Sequence, residues 1–125
     1  MQKMILIVDD EDDILFILKN VLSKNGYSVR EAYSGEECLE IVKKEKPDLI
    51  FMDIMMPGMD GWETAKTIKT DPKTKDIPIS MLSVKSDPED HKRSREYARA
   101  DHHLTKPVDF SLLLHTVERL TADNN

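Results

Sequence analysis

Met4 to Val8 (MILIV) is an unbroken apolar run closed by acids, and Leu49 to Met52 and Ile79 to Leu82 repeat its length and boundaries. Ser28 to Ala32 and His102 to Thr105 follow the same layout more weakly. Five short strands are predicted. Between them the apolar positions change to helical spacing: Ile14, Leu18, Val21 and Leu22 form one stripe, Cys38, Leu39 and Val42 a second, and Phe110, Leu113, Leu114, Val117 and Leu120 a third. Ser34, with Glu37 three residues on, reads as the cap of the second helix, and Asp60-Gly61 leads into a helix around Trp62 to Thr70. Alternating strands and helices, with strands almost wholly apolar, predict a parallel sheet covered on both faces, an α/β domain.

One segment departs from the pattern. Pro88 to Ala100 (PEDHKRSREYARA) offers only Tyr97, Ala98 and Ala100 as apolar anchors, while Lys92, Arg93, Arg95 and Arg99 make it basic. Such a helix gains little from packing, so it reads as a solvated surface helix held by Tyr97, or as a mobile or partner-facing element.

At 125 residues the chain suits a single domain, read as residues 1–121 followed by a polar tail, 122–125. Its 24 acidic against 18 basic residues give a net charge of -6, which argues against direct nucleic-acid binding. No apolar run approaches the roughly 18 residues of a membrane span, and the first residues lack a signal-peptide layout. A single cysteine, Cys38, excludes an internal disulfide and reads as a core residue. A cytoplasmic protein without membrane contact is expected.

The strand ends carry the chemistry. Strand one runs into Asp9 and Asp10, strand three into Asp53, strand four into Ser83, and strand five into Lys106-Pro107. In parallel α/β sheets these ends share one edge, where ligands bind. With the flavodoxin-like order 2-1-3-4-5, strands one and three are neighbours and Asp9, Asp10 and Asp53 converge. Three close carboxylates call for a cation, and an all-oxygen set suits Mg²⁺ or Mn²⁺ better than zinc. Ser83 and Lys106 opposite them suit a phosphoryl group, and a carboxylate can be the nucleophile that accepts it. Taken singly these features are ordinary: acid runs open helices, and Lys-Pro and Pro57-Gly58 make turns. Their joint order carries the argument.

From Met4 to Leu120 the chain resembles the receiver domain of two-component response regulators, through ILIVDDEDD, PDLIFMDIMMPGMDG, IPISMLSVKSD and HHLTKPVD. The resemblance implies a doubly wound (βα)5 three-layer sandwich. Asp53 would be phosphorylated, with Mg²⁺ held by Asp9, Asp10, Asp53 and the Met55 carbonyl. Ser83 would be the switch hydroxyl, Lys106 the phosphate partner, and the bond before Pro107 cis. It further implies a sensor histidine kinase or a histidine phosphotransfer protein as donor, and a downstream protein target or effector domain. The only chemistry expected is that of the phosphoacceptor itself, not an enzyme's.

Four positions depart from the family pattern. His103 stands where a switching Tyr or Phe is usual, which suggests a pH-sensitive switch. Arg99 replaces a glycine at a place that often needs positive φ. Val84 replaces an alanine beside the pocket, where it would narrow donor access, and the fourth helix lacks apolar positions. Met55 and Lys85 lie where the family tunes dephosphorylation; neither orients a water, so slow autodephosphorylation is expected. A phosphatase with an Asp nucleophile would need a second Asp at position 55, and a nucleotide binder would need a Gly- or Ser-rich loop where Asp9 to Asp13 stand. The remaining rival is a receiver-shaped interaction module without regulated switching.

Overall fold

The computed structural model describes residues 2–84 and 87–122. Five strands, β1 (Met4–Val8), β2 (Ser28–Ala32), β3 (Leu49–Asp53), β4 (Ile79–Ser83) and β5 (His102–Thr105), alternate with five helices, α1 (Asp12–Lys24), α2 (Gly35–Lys44), α3 (Gly61–Thr70), α4 (Pro88–Glu96) and α5 (Phe110–Thr121). All strand pairs are parallel, in the order β2-β1-β3-β4-β5. The doubly wound arrangement expected from the sequence is therefore the one adopted.

Alternation along the strands sorts the core into two layers. Leu6, Val8, Ile50 and Met52 pack under α2 and α3, with Cys38, Val42, Trp62, Ala65 and Ile68. Ile5, Ile7, Leu49 and Phe51 pack under α1 and α5, with Leu15, Leu18, Leu22, Leu113 and Val117. The stripe on α1 is rotated from its predicted position: Leu15 is buried, while Ile14 and Val21 are only partly so. Phe110, expected in the stripe of α5, lies at the first helical position and is exposed, because the apolar face meets the sheet only from Leu113 onward.

Helix α4 forms for local reasons. Asp87 caps it, Asp90 returns the bond to the Asp87 backbone, and Pro88 opens the first turn. The helix buries a single residue, the polar Ser94. Tyr97, expected as the main anchor, is only partly buried, and lies between the cations of Arg93 at 4.7 Å and Lys66 at 4.4 Å. Ala98, one residue further, is the fully buried anchor.

After α4 the chain turns at Arg99, whose φ of 59° lies in the left-handed region. That conformation costs a non-glycine residue roughly 1–2 kcal/mol. Arg99→Gly relieves it, and the added freedom of the unfolded chain returns about 0.5–1 kcal/mol. A net gain of about 0.5–1 kcal/mol is expected as a raised urea midpoint at unchanged slope; an unchanged midpoint would show that the turn carries no strain.

Candidate functional site

The carboxyl edge of the sheet gathers the predicted acids. Asp9 extends β1 by one residue, its N–H donating to the Ala32 carbonyl at 3.1 Å, and its side chain is wholly buried. One carboxylate oxygen accepts from the Glu11 N–H at 2.9 Å; the other accepts from Lys106 Nζ at 2.8 Å. Asp53 ends β3, is 4% exposed, and lies 3.4 Å from the same ammonium. Asp10 is exposed, yet one oxygen from each of Asp9, Asp10 and Asp53 fits within 4.8 Å of the others. The acid run thus divides. Asp12 and Asp13 sit in the first turn of α1, as charges at a helix amino terminus do, while Asp9 and Asp10 serve the pocket.

Lys106 reaches the acids from the end of β5, where its N–H donates to the Ser83 carbonyl at 3.0 Å. The Lys106–Pro107 peptide is cis. Ser83 is buried and lies one residue past Leu82, the register partner of Asp53, so it stands at the same edge. Met55 and Val84 expose their side chains at the rim. Lys85 lies outside the described residues. His103 is elsewhere: its ring faces α4, with Nδ1 2.8 Å from Ser94 Oγ.

Charge is unbalanced in this pocket. Burial, then the neighbouring Asp9 charge, push the Asp53 carboxyl up to about 6, with Asp10 adding to the effect and Lys106 opposing it. Burial acts to lower Lys106, but its hydrogen bond to Asp9 and the charges of both acids outweigh it and hold the ammonium above its usual range. Three carboxylates against one ammonium leave negative charge uncompensated. An all-oxygen set of this kind fits a hard divalent cation.

Gly61 shapes the loop that follows Asp53. Its N–H donates to the Ile54 carbonyl at 2.9 Å, and a Cβ there would collide with the Asp53 carbonyl. Since that neighbour is backbone, it cannot rotate away. Gly61→Ala is expected to lose about 1–3 kcal/mol by overpacking, measured by chemical denaturation; a neutral result would mean that the loop moves freely around Asp53.

Sequence reasoning missed Ser94 and Trp62. Ser94 accepts from the Trp62 indole N–H at 2.9 Å, so it bridges α3, α4 and β5. A search for apolar spacing passes over a buried serine. The signal that could have found it is helical spacing counted with polar residues included, since His91 and Ser94 share a face.

The chain matches the family model described as response regulator receiver domain over residues 5–118. It is 35% identical over 118 residues to protein PilH of Pseudomonas aeruginosa, covering 94% of this chain and 97% of PilH. It is 41% identical to the alkaline phosphatase synthesis transcriptional regulatory protein PhoP of Bacillus subtilis, covering 86% of this chain but 43% of that regulator. The structure of chemotaxis protein CheY4 of Vibrio cholerae superposes with a TM-score of 0.90 at 32% identity, covering 96% of this chain and 99% of that one.

Proposed function

Given that this chain belongs to the response regulator receiver domain family, we propose that Asp53 is its phosphoacceptor and Lys106 the group that balances the added charge. The observation that carries this reading is a carboxylate at the end of a core strand, 4% exposed and within 3.4 Å of an ammonium. An Asp53 oxygen forms a bond to phosphorus as the P–N bond of a phosphohistidine breaks, and the leaving imidazole keeps the bonding pair. Asp9, Asp10, Asp53 and the backbone carbonyl of Met55 would hold Mg²⁺ or Mn²⁺, which when bound supplies positive charge between the acids and the phosphoryl oxygens. The Ser83 hydroxyl donates to one of those oxygens, and Lys106 pairs with another.

The donor is a sensor histidine kinase or a histidine phosphotransfer protein, and the signal passes to a downstream protein target or effector domain. PilH has nearly this length, whereas PhoP is about twice as long, so relatives of both layouts exist. The only bond chemistry assigned to the domain is its own phosphorylation and dephosphorylation, with residues 1–121 as the receiver unit. Among the described residues no helix is long and apolar enough to cross a membrane. Buried Cys38, its thiol pushed up to about 12 by burial, suits a reducing cytoplasm.

Intact-protein mass spectrometry after incubation with acetyl phosphate or phosphoramidate, with and without Mg²⁺, tests the reading. A gain of one phosphoryl mass that needs Mg²⁺ is expected. No gain under conditions that label another receiver would overturn it in favour of a receiver-shaped interaction module. Followed after donor removal, the same spectra read how fast the group is lost; Met55 offers nothing to orient a water, so loss is slow.

A further inference from the structure

Sulfur is distributed unevenly in this chain, which has one cysteine and seven methionines. Cys38 is wholly buried and its thiol is pushed up to about 12 by burial, so it offers an oxidant no thiolate. Met52 and Met81 are wholly buried, Met56 is 7% exposed, and Met4 and Met59 are half-buried. Met55, 56% exposed, is the one methionine among the described residues whose side chain stands open to solvent.

Its direction follows from the strand before it. Ile50 and Met52 belong to the core layer under α2 and α3, whereas Leu49 and Phe51 belong to the layer under α1 and α5. β3 ends at Asp53, yet Ile54 and Met56 keep to the first layer, so the alternation runs on past the strand. Asp53 and Met55 therefore leave the chain on the same side, Met55 further out, at the mouth of the pocket. Met55 also borders a cavity of about 390 Å³, shared with Met56, Pro57 and Trp62, which lets a small oxidant approach its sulfur.

We propose that Met55 is an oxidation site: peroxide converts its thioether to a sulfoxide, and the new oxygen shortens the life of the phosphoryl group on Asp53. The first half stands on exposure; the second rests on the reading of Asp53 as the phosphoacceptor.

Hydrogen peroxide delivers one oxygen atom to sulfur as its O–O bond breaks; sulfur is oxidised by two electrons, the peroxide is reduced, and water is released. A thioether accepts hydrogen bonds weakly, whereas the sulfoxide is polar and its oxygen accepts strongly. Hydrolysis of an aspartyl phosphate needs a water in line with the bond to Asp53. Asp53 is 4% exposed, so that water comes from the open side of the phosphoryl group, where Met55 stands. The sulfoxide oxygen accepts one hydrogen of the water and turns its lone pair toward phosphorus. The water oxygen bonds to phosphorus as the bond to the Asp53 oxygen breaks, the carboxylate keeps that pair, and inorganic phosphate leaves. The proton lost by the water passes through the sulfoxide oxygen to solvent. A methionine sulfoxide reductase, with a thiol as reductant, restores the thioether and with it the slow loss.

The test begins with the unphosphorylated chain in dilute hydrogen peroxide. Fragment-ion mapping is expected to place the first oxygen of the loop on Met55, ahead of Met56 and Met59. The form carrying it is separated by chromatography, and both forms are labelled with phosphoramidate and Mg²⁺, freed of donor and followed by intact-protein mass spectrometry. The oxidised form is expected to lose its phosphoryl mass about threefold to tenfold faster, the value of one added hydrogen bond. Reductase treatment before labelling should return the slow rate. In Met55→Leu, compared before and after peroxide, the acceleration should vanish. Met56 or Met59 reacting first, equal rates in the two forms, or an acceleration that survives in Met55→Leu would each overturn the proposal. Failure of the unoxidised chain to take up a phosphoryl group would sink the reading of Asp53 and this inference with it, whereas equal rates after uptake would sink this inference alone.

Discussion

Asp53→Asn is expected to end phosphoryl uptake and, in the same stroke, to make the metal-free protein more stable at neutral pH. The first effect follows because an amide oxygen does not displace a leaving group from phosphorus as a carboxylate does. The second follows from linkage. The folded state raises the Asp53 carboxyl from 3.8 to about 6, chiefly by burial and then by Asp9, so the fold binds that proton more tightly than the unfolded chain. Asp53 therefore supports the fold most fully below pH 3.8, and that support is lost as pH rises to about 6. At pH 7 the ionised form opposes folding by about 3 kcal/mol at most. An asparagine removes the charge but must pair its amide, for which Asp9 is at hand. A net gain of about 1–2 kcal/mol, or about 4–8 °C in Tm, is expected in EDTA. Calorimetry across pH 4 to 7.5 would show the wild-type curve falling more steeply than that of Asp53→Asn. A variant that is less stable at pH 7.5 would mean that Asp53 already has a compensating partner.

Lys106→Met should have the opposite sign and a larger size. The ammonium, its side chain 10% exposed, is the only cation within 4 Å of both Asp9 and Asp53 among the described residues. Removing it leaves two buried carboxylates facing each other without a counter-charge, a change of about 3–5 kcal/mol for broken buried pairs. The loss is pH-dependent, because protonating one acid relieves the repulsion; at pH 5 the deficit should shrink to a fraction of its value at pH 7.5. Pairing Lys106→Met with Asp53→Asn should recover most of it, since a single buried acid then remains to be satisfied by the Glu11 N–H. Urea unfolding of the two single variants and the double variant closes the cycle. Strict additivity would show that Lys106 and Asp53 are not coupled.

The parts of this molecule that apolar spacing can encode were legible in the sequence. β1, β3 and, but for the buried Ser80, β4 are apolar runs because both faces of a parallel sheet are covered, and the residues that follow or end them are polar because that edge is open. Asp9, Asp53, Ser83 and Lys106 could therefore be placed before any coordinates, each at the end of a strand whose order was expected. α4 was not legible in the same way. Its start is written in Asp87, Pro88 and Asp90, but its docking depends on a serine hydroxyl, an indole N–H and an imidazole drawn from three elements. No period within one element reports a contact of that kind. Arg99 was singled out for the correct conformation, since a turn leaving a helix against the sheet needs positive φ whichever residue occupies it.

The ion pair between Lys106 and Asp9 joins residues 97 positions apart, across nearly the full extent of the sheet's connectivity. A chain being synthesised releases its acids long before the lysine that balances them. With β2, β1, β3 and β4 in place, such a chain holds three carboxylates at one edge and no ammonium between them. β5 touches only β4 in the sheet, so backbone pairing alone gives this last strand the weakest hold. The electrostatic demand of the unfinished edge adds to that hold, and it makes completion of the sheet and completion of the pocket one event. A nascent receiver thus carries its acids at an open edge before the lysine that balances them, and acquires the complete site only with its final strand.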